Sequence, residues 1–205
     1  LYTSRANPTK KPAHLTNVVK ALDGMGIDHL ITIGGDDTAF SAKRVSDEAG
    51  GRVRVVHVPK TIDNDLPLPH DVPTFGFSTA QNLGTQMVMN LMRDSATTGR
   101  WYICETMGRT SGWLSLSIGL AAGAPLTLIP EEFASGPIRL RDVVRTLEGS
   151  IVKRLARGRP DGVAVIAEGV AERLAPDDLE MLKDVERDEH GHIRLAEVPL
   201  GRVLR

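Results

Sequence analysis

The stretch His29-Leu30-Ile31-Thr32-Ile33-Gly34-Gly35-Asp36-Asp37-Thr38 runs from a short apolar, partly β-branched segment through paired glycines into a segment that reads as helical from about Thr38 to Ala49. β-Branched side chains favour extended backbone, and two glycines before an aspartate make a tight connection into a helix. Strand, glycine turn and helix in that order form the repeating unit of a parallel α/β sheet.

The same unit recurs along the chain. Val53–Val58 reads as a strand ending in Pro59-Lys60-Thr61-Ile62-Asp63-Asn64-Asp65, followed by a long helix near Thr79–Ser95. Trp101–Glu105 reads as a strand ending in Met107-Gly108-Arg109, and Leu126–Ile129 as one ending in Glu131-Glu132, with a helix between them. Ile138–Ala156 is helical by periodicity, and Gly162–Ala167 reads as a further strand ending in Glu168-Gly169. Upstream, Leu15, Val18, Val19 and Leu22 make a helical stripe, with a cap at or near Thr16 and a stop at Gly24 and Gly26. Pro176–Val185 reads as a charged helix, and residues 189–192 as a hairpin turn. The fold class is α/β, a three-layer, Rossmann-like parallel sheet. In such a sheet the carboxyl ends of the strands face the ligand crevice, so the polar strand ends converge on one site.

Composition narrows the function. A hydrophobic fraction of 41% over 205 residues supports a sizeable core, which excludes a disordered chain. The 25 basic residues against 26 acidic ones leave no basic excess for a nucleic acid or an anionic membrane. Cys104 is the only cysteine, which excludes an intrachain disulfide and fits a cytoplasmic location. The uncharged stretch from Thr110 to Pro130 is diluted by serines and broken by Gly119, Gly123 and Pro125, so it reads as buried core rather than a membrane span. No charged and then apolar leader opens the chain. The start at Leu1 reads as lying in mid-domain, and Leu200–Arg205 as a helix cut short, so the expectation is a partial chain.

Asp36, Asp37, Asp63 and Asp65 stand on two strand-end loops with Lys60 among them. Magnesium takes oxygen ligands, commonly one or two carboxylates plus phosphate oxygens and water, so one aspartate can serve as ligand and another as base. Lys60 supplies the counter-charge. The Gly34-Gly35 turn lets backbone N–H groups at a helix start approach a phosphate. Alone, a Gly-Gly-Asp turn is ordinarily no more than a capped connection.

The set of motifs says more. GGDDT at 34–38, PKTIDND at 59–65, MGRTSGW at 107–113 and AEG at 167–169 resemble the phosphofructokinase family in order and spacing, over nearly the whole chain. The resemblance implies Asp63 as general base toward the 1-hydroxyl of fructose 6-phosphate and Asp36 as the magnesium-associated aspartate. It implies Thr61 as a contact to the transferring phosphoryl group or sugar, and Asp65 as an orienting or metal-sharing residue. Met107, Gly108 and Arg109 match the substrate loop, Glu168 the acceptor for sugar hydroxyls, and Arg100 a cation that reaches the phosphates, often across a subunit contact. Gly35, Asp37, Thr38 and Lys60 fall on the donor phosphates.

Asp37 and Lys60 bear on the donor. Members using ATP resemble GGDG, whereas pyrophosphate-dependent members resemble GGDD with PKTIDND. A carboxylate at position 37 occupies the space, and adds negative charge, where a nucleotide α-phosphate would lie. Lys60 can pair with the leaving phosphate. The resemblance therefore implies reversible transfer between pyrophosphate and fructose 6-phosphate in a dimer or tetramer of identical chains. It also implies a donor and metal side over 1–130 and the start of a sugar-phosphate side over 131–205, without the family's preceding glycine-rich loop. An ATP-dependent enzyme and a non-catalytic regulatory subunit of the same fold are the alternatives.

Other residues take ordinary readings. His190 and His192 fit a solvated turn, and Met87, Met89 and Met92 fit core packing. Cys104 fits an inert strand thiol, Trp113 a helix-start packing residue, and His57 a core histidine.

Overall fold

A computed structural model describes residues 7–66, 68, 69 and 72–180. The chain divides into two compact units, Leu1–Thr61 with Leu66–Phe75 and Ile62–Asp65 with Gly76–Arg205.

In the first unit, helix α1 (Pro12–Gly24) opens on a proline, whose missing N–H costs nothing in the first turn. Lys11 is the cap residue, and Thr16 lies one turn inside. Its hydroxyl donates to the Pro12 carbonyl at 3.3 Å and to Glu48 Oε1 at 2.9 Å, which corrects the cap expected at Thr16. Strand β1 (His29–Gly34), helix α2 (Asp36–Ala49) and strand β2 (Arg54–Thr61) follow. β1 and β2 pair in parallel from His29↔Arg54 to Gly34↔Pro59. A two-residue strand β3 (Phe75–Gly76), not foreseen in the sequence, completes the order β1-β2-β3.

Leu15, Val19 and Leu22 of α1 pack with Val45 and Ala49 of α2, together with Leu30 and Val55 from the sheet. The alternate residues face away from this core. Ile31, Ile33, Val56 and Val58 are 67, 57, 59 and 39% exposed. Parallel sheets are normally covered on both faces. Among the described residues, this one is covered on one.

The second unit contains α3 (Phe77–Thr98), β4 (Trp101–Thr106), α4 (Trp113–Ala122), β5 (Leu126–Leu128), a 3₁₀ turn (Pro130–Glu132), α5 (Leu140–Leu155), β6 (Gly162–Ala167), α6 (Gly169–Glu172) and α7 (Pro176–Glu180). Its strands run parallel in the order β4-β6-β5. All six residues of β6 are buried. Val163 and Val165 pack with Val88, Leu114 and Ile118 from α3 and α4. Ala164 and Ile166 pack with Val143 and Leu147 from α5 on the other face. The period-2 alternation of a strand thus feeds two separate cores.

The α/β class stands, with particular corrections. In place of one continuous sheet, the described residues form two three-stranded sheets. The compact units divide near residues 61–76, and β5, before residue 131, pairs with β6, after it. Helix α2 begins at Asp36 rather than Thr38, and α3 extends beyond 79–95 at both ends. The uncharged stretch 110–130 holds α4 and β5, and no described helix is long and apolar enough to cross a membrane. Met87 and Met89 are exposed on α3, and only Met92 packs against the core. Trp113 begins α4 but stays more than half exposed. His57 faces the helix side of β2, its Nδ1 2.9 Å from Thr32 Oγ1. Cys104 is half-buried, and burial pushes its thiol pKa up, away from reactive thiolate. The expected turn at 189–192 with His190 and His192, and the segment Leu200–Arg205, lie outside the described residues.

Candidate active site

The first unit presents its candidate residues at the carboxyl ends of β1 and β2. Gly34 is buried, and a side chain there would collide with the side chain of Thr38, so the turn requires glycine. Gly35 caps α2, and its Cα faces the Lys60 carbonyl with room to spare, a built Cβ lying 4.0 Å from that oxygen. Asp36 and Asp37 occupy the first helical turn, where negative charge is favoured by the helix dipole, and both are exposed. Lys60 continues the outward alternation of Val56 and Val58 and therefore lies on the uncovered face of the sheet. Thr61 ends β2, and its carbonyl accepts the hydroxyl proton of buried Thr74 at 2.7 Å. Gly35, Asp36, Asp37, Thr38, Lys60 and Thr61 thus gather at one sheet end.

Asp36 and Asp37 offer hard carboxylate oxygens, the donor type that magnesium accepts when phosphate and water fill most of its shell. Among the described residues no three His, Cys, Asp or Glu side chains cluster as a protein-built metal cage. The exposed carboxylate pair is of the donor type that suits a metal carried largely by phosphate oxygens.

The second unit holds Asp63, Asp65, Met107, Gly108, Arg109 and Glu168. Asp63 is half-buried and Asp65 exposed, and Asn64 between them adopts a left-handed φ of 55°. The Asp63 carbonyl accepts a hydrogen bond from Ser111 Oγ at 3.2 Å. Ser111 is buried, and its N–H donates to the Gly108 carbonyl at 2.9 Å, closing a turn over 108–111. That turn holds Gly108 at φ 150° and Arg109 at φ 51°. A side chain at Gly108 would sit 2.5 Å from the Ser111 carbonyl oxygen, so glycine is required here too. Glu168, 8% exposed, accepts the N–H of Gly108 at 2.8 Å and of Arg109 at 2.5 Å, both on Oε1. One of its two oxygens is therefore committed to the loop itself, leaving less for a sugar than the sequence implies. Met107 and Arg109 are exposed.

Arg100 is not brought to this cluster. It precedes the first residue of β4, whereas Met107 follows the last. A six-residue strand at about 3.3 Å per residue sets the two roughly 20 Å apart. Within one chain, Arg100 and the Met107–Arg109 loop lie at opposite ends of the sheet.

Two contributors escaped the sequence reading. Ser111 ties the Asp63 loop to the 108–111 turn, and Glu131 Oε1 accepts the Gly112 N–H at 2.8 Å at the start of α4. Ser111 stands inside the quoted MGRTSGW motif, and Glu131 at a recognised strand end, so position was the available signal for both.

The phosphofructokinase family model matches residues 1–205. A pyrophosphate--fructose 6-phosphate 1-phosphotransferase of Thermotoga maritima is 54% identical over the whole of this chain and 49% of its own length. The enzyme of the same name from Naegleria fowleri is 47% identical over 100% of this chain and 49% of its own. An ATP-dependent 6-phosphofructokinase of Mycobacterium tuberculosis is 40% identical over 97% of this chain and 53% of its own. The chain spans about half the length of these relatives. In structure it is similar to the phosphofructokinase of Saccharomyces cerevisiae, with a TM-score of 0.67 and 25% identity over 86% of this chain and 26% of the other. The pyrophosphate-dependent phosphofructokinase of Nitrosospira multiformis, at TM-score 0.65 and 21% identity over 83% and 44%, shares the fold.

Proposed function

The chain belongs to the phosphofructokinase family, and from that premise we propose that it forms part of an enzyme that moves a phosphoryl group reversibly between pyrophosphate and the 1-hydroxyl of D-fructose 6-phosphate. The observation that carries the reading is the hydrogen-bonded chain from Asp63 through Ser111 and Gly108 to Glu168. It supports the reading because Asp63, taken as the general base, shares this hydrogen-bonded support with the loop that matches the family's sugar-binding segment.

In this reading Asp63 accepts the proton of the 1-hydroxyl as that oxygen attacks the terminal phosphorus of pyrophosphate, and inorganic phosphate leaves. Phosphoryl transfer asks the protein chiefly to align reactants and to neutralise spreading negative charge. Arg109 faces the sugar phosphate, and Lys60 the leaving phosphate. Thr61 and Thr38 contribute hydroxyls, and Gly35 allows close approach at the α2 start. Asp36 would hold magnesium, whose charge offsets that of the phosphate oxygens, and Asp65 would orient the reactants. Arg100 would act on a neighbouring chain's site, which makes the working enzyme a dimer or tetramer, and the compartment is the cytoplasm.

Pyrophosphate as donor rests on Asp37 and Lys60 and on the names of the 54% and 47% identical relatives. The 40% identical relative named as ATP-dependent favours a second reading with ATP in that place. The full-length protein, given fructose 6-phosphate and magnesium with either donor, decides between them. Fructose 1,6-bisphosphate formed with pyrophosphate alone, and a reverse reaction with phosphate, are expected. Formation with ATP alone would overturn the donor assignment, and formation with neither would favour a non-catalytic subunit.

A further inference from the structure

The Glu168 carboxylate that holds the 108–109 loop has a second carboxyl beside it. Glu168 precedes α6 with helical dihedrals, and its carbonyl accepts the N–H of Ala171 at 2.9 Å and of Glu172 at 3.3 Å. Glu172 therefore stands one helical turn beyond Glu168, on the same face. Its Oε2 is buried with no hydrogen-bond partner among the described residues. A shielded carboxylate oxygen without a donor is costly when ionised, and a like charge at four-residue spacing adds to that cost.

Among the described residues, the charges that act on Glu172 come from Glu168 and Arg109. Glu168 lies on its own helix, and Arg109 comes from the loop after β4. Arg173, next in sequence, is turned to the backbone, donating to the carbonyls of Pro130, Ala134 and Gly136. Burial chiefly, and Glu168 next, push the Glu172 carboxyl above the ordinary glutamate range, while Arg109 opposes them.

We infer that Glu172 is a positioning residue for the sugar-phosphate loop, acting through Glu168 and Arg109 and changing its influence when it gains or loses a proton. Protonated, it neither repels Glu168 nor draws on the Arg109 charge. Ionised, it repels the carboxylate that clamps Gly108 and Arg109 and draws on the Arg109 charge. This rests on the proposed sugar phosphorylation for its kinetic consequence, though not for its structural one.

The test uses the full-length protein and Glu172→Gln, which keeps shape and removes the titration. KM for fructose 6-phosphate in the wild type, divided by that of the variant, is expected to rise by about twofold as pH increases through the raised Glu172 titration, with kcat little changed. The ionisation of the sugar phosphate is common to both proteins and cancels in the ratio. Independently of turnover, the ¹⁵N-labelled Gly108 amide resonance is expected to titrate with a midpoint above the ordinary glutamate range in the wild type and to lose that midpoint in the variant. A flat KM ratio, or a Gly108 titration that is absent from the wild type or unchanged by the substitution, would overturn the inference. Absence of fructose 6-phosphate turnover with an intact Gly108 titration would instead sink the proposed reaction and leave the positioning role standing.

Discussion

The sheet of β4, β6 and β5 is covered on both faces, with every residue of β6 buried, whereas the sheet of β1 and β2 turns Ile31, Ile33, Val56 and Val58 outward. The candidate residues follow the same division. Asp63, Gly108, Arg109 and Glu168 are linked through Ser111 and through the Glu168 carboxylate, in the unit that holds the doubly covered sheet. Asp36, Asp37 and Lys60 are exposed at the end of the singly covered one. If the proposed function holds, the difference teaches that the fold presets the loop read as sugar-binding with hydrogen bonds, while the side read as donor-binding is defined by a glycine turn and by exposed charge. A side defined that way can change its ligand through one or two substitutions without disturbing a core.

The largest effect expected is on chemistry. Asp63→Asn in the full-length enzyme removes the proposed base while keeping its size, and kcat is expected to fall by about 10²–10⁴-fold with the KM for either substrate little altered. A fall of less than tenfold would detach the base from the linked side of the comparison.

The next effect separates the two sheets by stability. Ile166→Ala deletes buried volume at 1% exposure and is expected to cost about 2–5 kcal/mol in denaturant unfolding of this chain. Ile33→Ala, on the open face, is expected to cost no more than about 0.5 kcal/mol. Equal costs would show that the open face is covered in solution and would erase the contrast. A smaller effect than that of Ile166→Ala belongs to Ser111→Ala, which deletes the hydroxyl donated to the Asp63 carbonyl. A loss of about 1 kcal/mol, the ordinary worth of one hydrogen bond, is expected in kcat/KM, without a change of donor preference.

Much of this was legible in the sequence. The β-branched runs at 29–33, 53–58 and 162–167 mark observed strands, and the glycine pair at 34–35 marks an observed strand-to-helix turn, because those signals are local. What escaped was non-local. Glu168 reaches back 60 residues to Gly108 and Ser111 reaches 48 to Asp63, and single hydrogen bonds over such separations leave no period to read. Met87 and Met89 share the apolar character of core residues, yet α3 turns them outward, since composition alone does not say which face a long helix buries. The division into two sheets was also hidden, because strand pairing depends on the partner and not on the strand's own sequence.

The most direct test of the division of labour is Asp37→Gly in the full-length protein, assayed with pyrophosphate and with ATP at varied fructose 6-phosphate. The account predicts a lower kcat/KM for pyrophosphate, measurable turnover with ATP, and an unchanged KM for the sugar phosphate, because position 37 belongs to the donor side alone. An unchanged donor preference, or a sugar KM that moves with the donor, would contradict it.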